Sequence, residues 1–595
     1  MSISQNFPEI RPSLNLDFAN VKALDPRVTF ARASTATYYG TQTAKAEENL
    51  LLQSQTFDNA YWTKTNITVT ANSTTAPDGT TTAESILETA TTGSHQVFRS
   101  AVITSSNTHV RSVFAKPNGR NWLAIYGGAG RSFFDLQNGV TGTVEAGYTA
   151  SMIDAGNGWY RCILIGPAGT SSYAGLYNIA DADNSISYAG DITKGLFIWG
   201  AQFEQRSAVT AYTPTTTQPI TNYIPVLQTA ASGVARFDHD PTTTESLGLL
   251  IEEQRTNLVL YSGEFDNGNW VKSNATVVAN QVVAPDGTLT ADVLTNDSTS
   301  GEHRAYQTHS AASANVTQSV YAKAGTASFI SINGGSTGIA YAVFDLSTGI
   351  VSTSGNGVGS IIPVGNGWFR CVVNPTGATV INNLVISIGE TAAQAVPQTN
   401  YVGTGKTVYL WGAQPEIGGF STSYIPTVAS QVTRSADSAS MTGANFSSWY
   451  RQDEGTLYGE YVSGESQSIQ AVAYIGDNTV NNRIVVYDDG TVGVGSDGYI
   501  IVASSGVTQA LINLGTSSRN QKHKIIGAYK TNDFAGSFDG GSSSVDTLGI
   551  VPLGLDRLIL ADAGGVASKL NGHLRKFAYY PARLSNAELQ EMTEQ

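Results

Sequence analysis

Acidic side chains recur at fixed spacing in this chain. Ala-Pro-Asp-Gly-Thr occurs twice, so that Asp78 is followed by Glu84 and Asp286 by Asp292. Hard cations take six to eight oxygens, backbone carbonyls included, which makes these four acids the candidate ligands of a structural Ca2+. The alternative is a plain Pro-Asp-Gly turn in which the aspartate caps its own backbone, and this is the preferred reading. Catalytic constellations are absent from the sequence. There is no Gly-x-Ser-x-Gly elbow, Walker loop or His-Glu-x-x-His. The closest histidines, His303 and His309, are six apart, which is not a zinc spacing. A non-enzymatic protein with no required cofactor is expected.

Aromatic side chains are the better candidates. Sugar sites set flat aromatic faces against the apolar faces of the rings, with polar groups alongside. Trp62 and Trp270, Trp159 and Trp368, and Trp199 and Trp411 stand in duplicated apolar contexts and read as core. Tyr126, Tyr341, Tyr487 and Tyr499 lie near Gly-rich turns and are the candidate ligand-binding residues. The connector cluster Arg236, Asp238, His239 and Asp240 reads as a folded linker held by an Arg-Asp pair and the Asp240-Pro241 turn.

The elements that position these residues come from a duplication. Asn49 to Ile86 returns, without a gap, as Asn257 to Leu294 with 21 of 38 positions identical. Later matches include Phe134-Asp135-Leu136 with Phe344-Asp345-Leu346, and Trp199-Gly200-Ala201-Gln202 with Trp411-Gly412-Ala413-Gln414. Each copy has the size of one compact domain, not of a solenoid repeat. Short alternating runs such as Val110 to Ala115, Gln318 to Lys323 and Val408 to Gln414 read as strands between Asp-Gly and Asn-Gly turns. Such strands, with almost no helical periodicity, predict antiparallel sandwiches or jelly rolls. One helix is expected at the end, where Ser585 and Glu588 form a capping box.

Composition narrows the function classes. Thirty-three basic against 47 acidic residues give a net charge of −14, with no basic stripe, so nucleic-acid binding is not expected. The two cysteines, Cys162 and Cys371, occupy the same position in separate copies and read as buried free thiols. Neither a signal peptide nor a membrane-spanning run is expected.

Leu14 to Tyr39 (LNLDFANVKALDPRVTFARASTATYY) resembles the opening segment of many tailed-bacteriophage tail or fibre proteins. The connector ARFDHDPTTTESLGLLIEEQRTNLVL resembles a second hallmark of that group, which there leads into a carbohydrate-binding-module-like jelly roll. The last block, through Gly572 to Tyr580 and Leu584-Ser585-Asn586, resembles concanavalin A-like, laminin-G-like domains. One departure is that a whole domain copy separates two segments that in that group adjoin.

Together these readings predict an all-β chain of tandem antiparallel jelly rolls, a C-terminal laminin-G-like sandwich and one short C-terminal helix. The expected map is an attachment segment 1–48, jelly rolls 49–216 and 257–427, a connector 217–256, a linker 428–448 and a terminal sandwich 449–595. Leu14, Leu16, Phe18, Val28 and Phe30 are too few for a core of their own, so they are expected to dock onto other phage virion proteins or onto another copy of this chain. The resemblance implies a tail fibre on the virion, a homotrimer, adhering to host surface polysaccharide or other glycan. The rival is a purely structural virion protein: a capsid decoration, head fibre or tail adaptor.

Overall fold

The computed structural model describes residues 10–594 except 101–107, 129, 168–172, 314, 336–338, 377–379, 465–468, 490–495 and 564–568. The described chain is all-β, as the strand patterning predicts, and every named strand pairing is antiparallel. Its helices are three single turns and the closing Asn586–Thr593. That last helix carries the expected capping box: Ser585 Oγ accepts the Glu588 N–H while Glu588 accepts the Ser585 N–H.

Each copy folds as a two-sheet sandwich with the same strand order. In copy 1, one sheet runs Thr149–Gly156, Trp159–Pro167, Thr108–Asn118, Gly195–Glu204, Ala83–Glu88, Ile67–Thr74. Copy 2 repeats it as Gly357–Gly365, Trp368–Pro375, Val316–Ala324, Thr407–Ile417, Ala291–Asn296, Ala275–Val282. Alternation turns one face of each strand into the core, where Val113, Cys162, Leu196 and Ile198 close copy 1 and Val320, Cys371, Val408 and Leu410 close copy 2, while central strands such as Gly195–Glu204 and Thr407–Ile417 are buried on both faces. Trp62 and Trp270 lie in these cores, 2% and 1% exposed. Both cysteines are free and buried.

The third sandwich is assembled from three distant stretches of chain. One sheet orders Phe237–His239, Ser246–Ile251, Gly572–Tyr580, Glu454–Val462, Lys522–Lys530, Phe534–Phe538, Ser544–Asp546, and Leu14–Asp17 also pairs with Gly572–Tyr580. The facing sheet orders Thr29–Ala31, Ser438–Thr442, Arg557–Leu560, Ile469–Gly476, Arg483–Asp489, Ser496–Ser504, Val507–Ser517. The terminal block is therefore not a complete domain. It needs the N-terminal segment, the connector and the linker to close its sheets.

This corrects the expected attachment segment. Leu14 faces Tyr579 and Leu16 faces Phe577 across the sheet. Leu14, Leu16, Phe18 and Val28 are 1%, 3%, 1% and 8% exposed inside the base sandwich, and Phe30 packs against the same core. Side chains that fill this core present no surface to another protein. Residues 1–9 lie outside the described residues.

Both jelly rolls are insertions into the base. Copy 1 sits at the far end of a long two-stranded ribbon, Ala36–Asn49 with Ile220–Ala230, and copy 2 on a short neck, Arg255–Asn257 with Val432–Arg434. One asparagine closes each entrance. Asn49 Nδ2 donates to the carbonyls of Ala201 and Thr213, and Asn257 Nδ2 to those of Ala413 and Ile425.

Where ribbon and neck leave the base, three chain segments meet in a buried ionic cluster. Asp437 receives Arg32 at 3.1 Å and Arg236 at 2.5 Å, and Glu252 receives Arg236 at 2.8 Å and Arg434 at 2.9 Å. All five residues are at most 5% exposed. Burial raises the Glu252 pKa, but Arg434 and Arg236 outweigh it and hold the carboxyl below the usual range. The connector arginine thus pairs with Asp437 and Glu252, not with Asp238. Asp238 instead accepts the Tyr39 N–H and lies 2.8 Å from His573 Nε2.

Candidate functional site

Of the four candidate tyrosines, the fold brings two together. Tyr487 and Tyr499 lie on Arg483–Asp489 and Ser496–Ser504, directly opposite each other across the sheet. Alternation places Ile484, Val486, Ile500 and Val502 in the core, so Tyr487 and Tyr499 stand on the outer face. Their rings stack at 5.3 Å between centroids and 15° between planes. Asn513 faces Tyr499 from the next strand. The Tyr499 hydroxyl lies 3.3 Å from Asp497 Oδ2 and 3.2 Å from Asn513 Nδ2, which are themselves bonded at 2.7 Å.

The result is a half-buried aromatic step edged by a carboxylate and an amide, with Leu511, 55% exposed, and Ile501 in the adjoining row. Burial, then the neighbouring Asp489 and Tyr499, push the Tyr487 hydroxyl up to about 12, so it stays a neutral hydrogen-bonding group across the physiological range. A neutral donor, a carboxylate and an amide beside an aromatic face suit a polyol ring.

Tyr126 and Tyr341 sit apart, one on each jelly roll. The Tyr126 hydroxyl donates to the Gly128 carbonyl at 2.6 Å, and Arg131 covers its ring at 5.1 Å. Tyr341 lies over Gly355, where an added Cβ would come within 2.6 Å of the ring. Tyr126 pairs across the sheet with Arg131, and Tyr341 with Asn333 at the matching place in copy 2.

A cleft on copy 1 escaped sequence reasoning. Phe133, Trp122 and Ile186 form an apolar patch beside an open cleft of about 430 Å³ that Arg131, Thr143, Glu145 and Asn184 also line. In the next strand but one, Asn178 is fully buried, and neither of its amide atoms has a hydrogen-bond partner among the described residues. Sequence comparison of the copies hides it, because copy 2 places the one-turn helix Ala392–Ala395 over the matching sheet.

The four candidate calcium ligands do not converge. Asp78 Oδ1 accepts the N–H and hydroxyl of Thr80, and Asp286 Oδ1 those of Thr288, so both cap their own turns. Glu84 accepts the Asp58 N–H, and Asp292 the N–H groups of Phe265, Asp266 and Asn280. Among the described residues no group of three or more His, Cys, Asp or Glu is disposed to hold a metal. A lysine ammonium binds the same loops: Lys64 Nζ at 2.7 Å from the carbonyls of both Asp58 and Asn59, and Lys272 Nζ at 2.9 and 2.8 Å from those of Asp266 and Asn267. Lys64→Met and Lys272→Met should each cost about 1–3 kcal/mol in their own jelly roll, whereas a chelator should leave melting unchanged. A chelator-dependent fall in calorimetric melting temperature would contradict this.

The same loops carry a pH dependence. Burial first, and then Asp58, raise Glu84 from 4.5 to about 8, and burial raises Asp292 from 3.8 to about 6. A raised carboxyl is protonated when folded and ionised when unfolded, so its contribution is full below the unfolded pKa and is lost as pH rises through the folded one. Copy 1 should lose stability up to about pH 8 and copy 2 only to about pH 6. A tenfold difference in a carboxyl's acidity between the folded and unfolded chain corresponds to about 1.4 kcal/mol. Glu84→Gln should flatten the copy 1 transition between these limits in denaturant melts run across pH.

No protein-family model matches the chain, and no curated protein matches it in sequence. Among solved structures, the CBM40 of the Ruminococcus gnavus IT-sialidase overlaps at 13% identity and a TM-score of 0.22, covering 25% of this chain and 87% of its own. The same module bound to alpha2,3 sialyllactose overlaps at 14% and 0.23, with 25% and 88% covered. A Trypanosoma rangeli sialidase overlaps at 8% and 0.21 over 98% of this chain and 97% of its own. Overlaps at these scores carry no argument about function. No helix among the described residues is long and apolar enough to cross a membrane.

Proposed function

We propose that this chain is a non-enzymatic adhesive protein that binds surface glycan through the outer face of its base sandwich. The stacked Tyr487–Tyr499 pair with Asp497 and Asn513 carries the reading. It is an aromatic step on a rigid sheet, with fixed polar groups at its rim. A catalytic role has no counterpart there: Asp497 is engaged by Asn513 and Tyr499. The cleft beside Phe133 on copy 1 offers a second polar-and-aromatic surface, and two weak sites on one chain gain avidity on a repeating polysaccharide. The resemblance of the N-terminal and connector segments to tailed-phage tail proteins supports a place on a phage particle, with a host surface polysaccharide as the ligand. A panel of immobilised surface polysaccharides, probed with the purified full chain, tests the proposal. Saturable binding to at least one, competed by its free oligosaccharide, supports it; no binding to any of them or to intact host cells sinks it.

A further inference from the structure

The two jelly rolls bear the same face, and only one of the two is covered by the ribbon. In copy 2, the ribbon lies across the sheet that carries Trp368 and Trp411. Ala46, Ile224 and Leu227 pack there against Tyr321 and Tyr424. Glu47 anchors the ribbon, 2.6 Å from Lys323 Nζ and 2.7 Å from Asn366 Nδ2. The approach is close: an added Cβ on Gly365 would come within 2.6 Å of Pro225 Cδ, and one on Gly287 within 2.8 Å of Ala44 Cβ.

Copy 1 has the same receptor without a ribbon. Lys116 stands for Lys323, Asn157 for Asn366, Trp159 and Trp199 for Trp368 and Trp411, and Phe114 and Tyr212 for Tyr321 and Tyr424. Neither Lys116 nor Asn157 makes an ion pair or side-chain hydrogen bond among the described residues, and Asn157 is exposed. A Cβ added to Gly156 or to Gly79, the counterparts of Gly365 and Gly287, would meet nothing within 4 Å. Tyr321 and Tyr424 are each 2% exposed, whereas Phe114 and Tyr212 are only partly buried. Copy 2 meets this face at Ala211, which packs in one cluster with Tyr409, while the Lys116–Asn157 end, with Asn157 exposed and open space at Gly156 and Gly79, remains open.

We infer that the Lys116–Asn157 face of copy 1 is a docking site for an acidic β-ribbon of another protein chain. The occupant's chemistry is defined by the seated example: a two-stranded ribbon with small aliphatic side chains against the partly buried Phe114 and Tyr212, which lie over the buried Trp159 and Trp199, and one Glu or Asp reaching Lys116 and Asn157. The chain's own ribbon cannot serve, because it is seated on copy 2 and runs directly into copy 1 at Asn49. The seated ribbon sets its carboxylate on Lys323, so a carboxylate partner at Lys116 is selected by position rather than by the overall negative charge of the chain. This inference is independent of the sugar reading, since it concerns a different domain and a protein ligand.

The probe is a synthetic disulfide-closed hairpin carrying residues 41–49 and 220–228 of this sequence, fluorescently labelled and titrated into the full chain. Saturable binding is expected, weakened about tenfold or more by Lys116→Glu in the protein and likewise by Glu47→Ala in the hairpin. Lys116 holds no polar partner among the described residues, so the melting temperature of the Lys116→Glu protein should equal that of the parent and certify its fold. Lys323→Glu should leave the hairpin's affinity unchanged. Absence of saturable binding overturns the inference. So does binding that Lys116→Glu leaves intact, and so does binding that only Lys323→Glu removes, which would mark exchange with the chain's own ribbon on copy 2.

Discussion

Asp437→Ala should lower the stability of the base sandwich by about 3–5 kcal/mol, the cost of removing one partner from a buried ion pair. Three guanidinium groups share two carboxylates in the cluster, all almost fully buried. Removing Asp437 strands Arg32 without a counter-ion and leaves Arg236 and Arg434 to share Glu252, in a place that water does not reach. The cluster also ties the three chain segments at the point where both jelly rolls are inserted. Its loss should therefore separate the base transition from those of the jelly rolls, and a single unfolding free energy would not describe the variant. Denaturant melts of the parent and of Asp437→Ala, with intrinsic fluorescence and far-UV dichroism as separate probes, measure this. Acid should act in the same direction, because Glu252, held below the usual carboxylate range, contributes stability that is lost as pH falls through its folded pKa. A change under about 1 kcal/mol would mean that apolar packing alone joins the segments.

Tyr487→Ala and Tyr499→Ala should each weaken glycan binding by about tenfold, and the double variant should abolish measurable binding. Loss of one aromatic face from a sugar contact removes about 1–2 kcal/mol, and 1.4 kcal/mol is a factor of ten. The two effects should not add simply, because each ring is the other's stacking partner at 5.3 Å. Tyr499→Phe separates the roles: it keeps the stack and removes the hydroxyl that Asp497 and Asn513 flank. A modest loss with Tyr499→Phe and a large one with Tyr499→Ala would assign most of the affinity to the ring.

Much of the architecture is legible in the sequence, because local rules set it. Alternation and Asn-Gly turns mark the strands, the duplicated tryptophans mark two cores, and Ser585 with Glu588 marks the last helix. Long-range pairing is not legible in this way. Leu14 and Leu16 are correctly too few for a core, but the complement they need is the strand ending at Tyr580, more than 560 residues away. Nothing in a strand's own residues says whether its partner is another protein or its own far end. The Arg-Asp pair read in the connector exists, but the aspartate that Arg236 takes is Asp437, far away in sequence and near in space. Lys64 and Lys272 do leave a signal in the sequence: both are retained between the copies, two residues after a retained tryptophan, on a strand with no other charged residue. The open face of copy 1 is readable only by comparing two folded copies, because the receptor residues are the same in both and the difference lies in what covers them.

The most direct test of the glycan-binding face is calorimetric titration of the purified full chain with the best oligosaccharide from the polysaccharide panel, run beside the Tyr487→Ala/Tyr499→Ala double variant. Both proteins should first show matched melting curves. Measurable binding is expected for the parent and none for the double variant at the same concentrations. Equal binding by the two proteins, with their folds matched, would remove the base sandwich from the adhesive role.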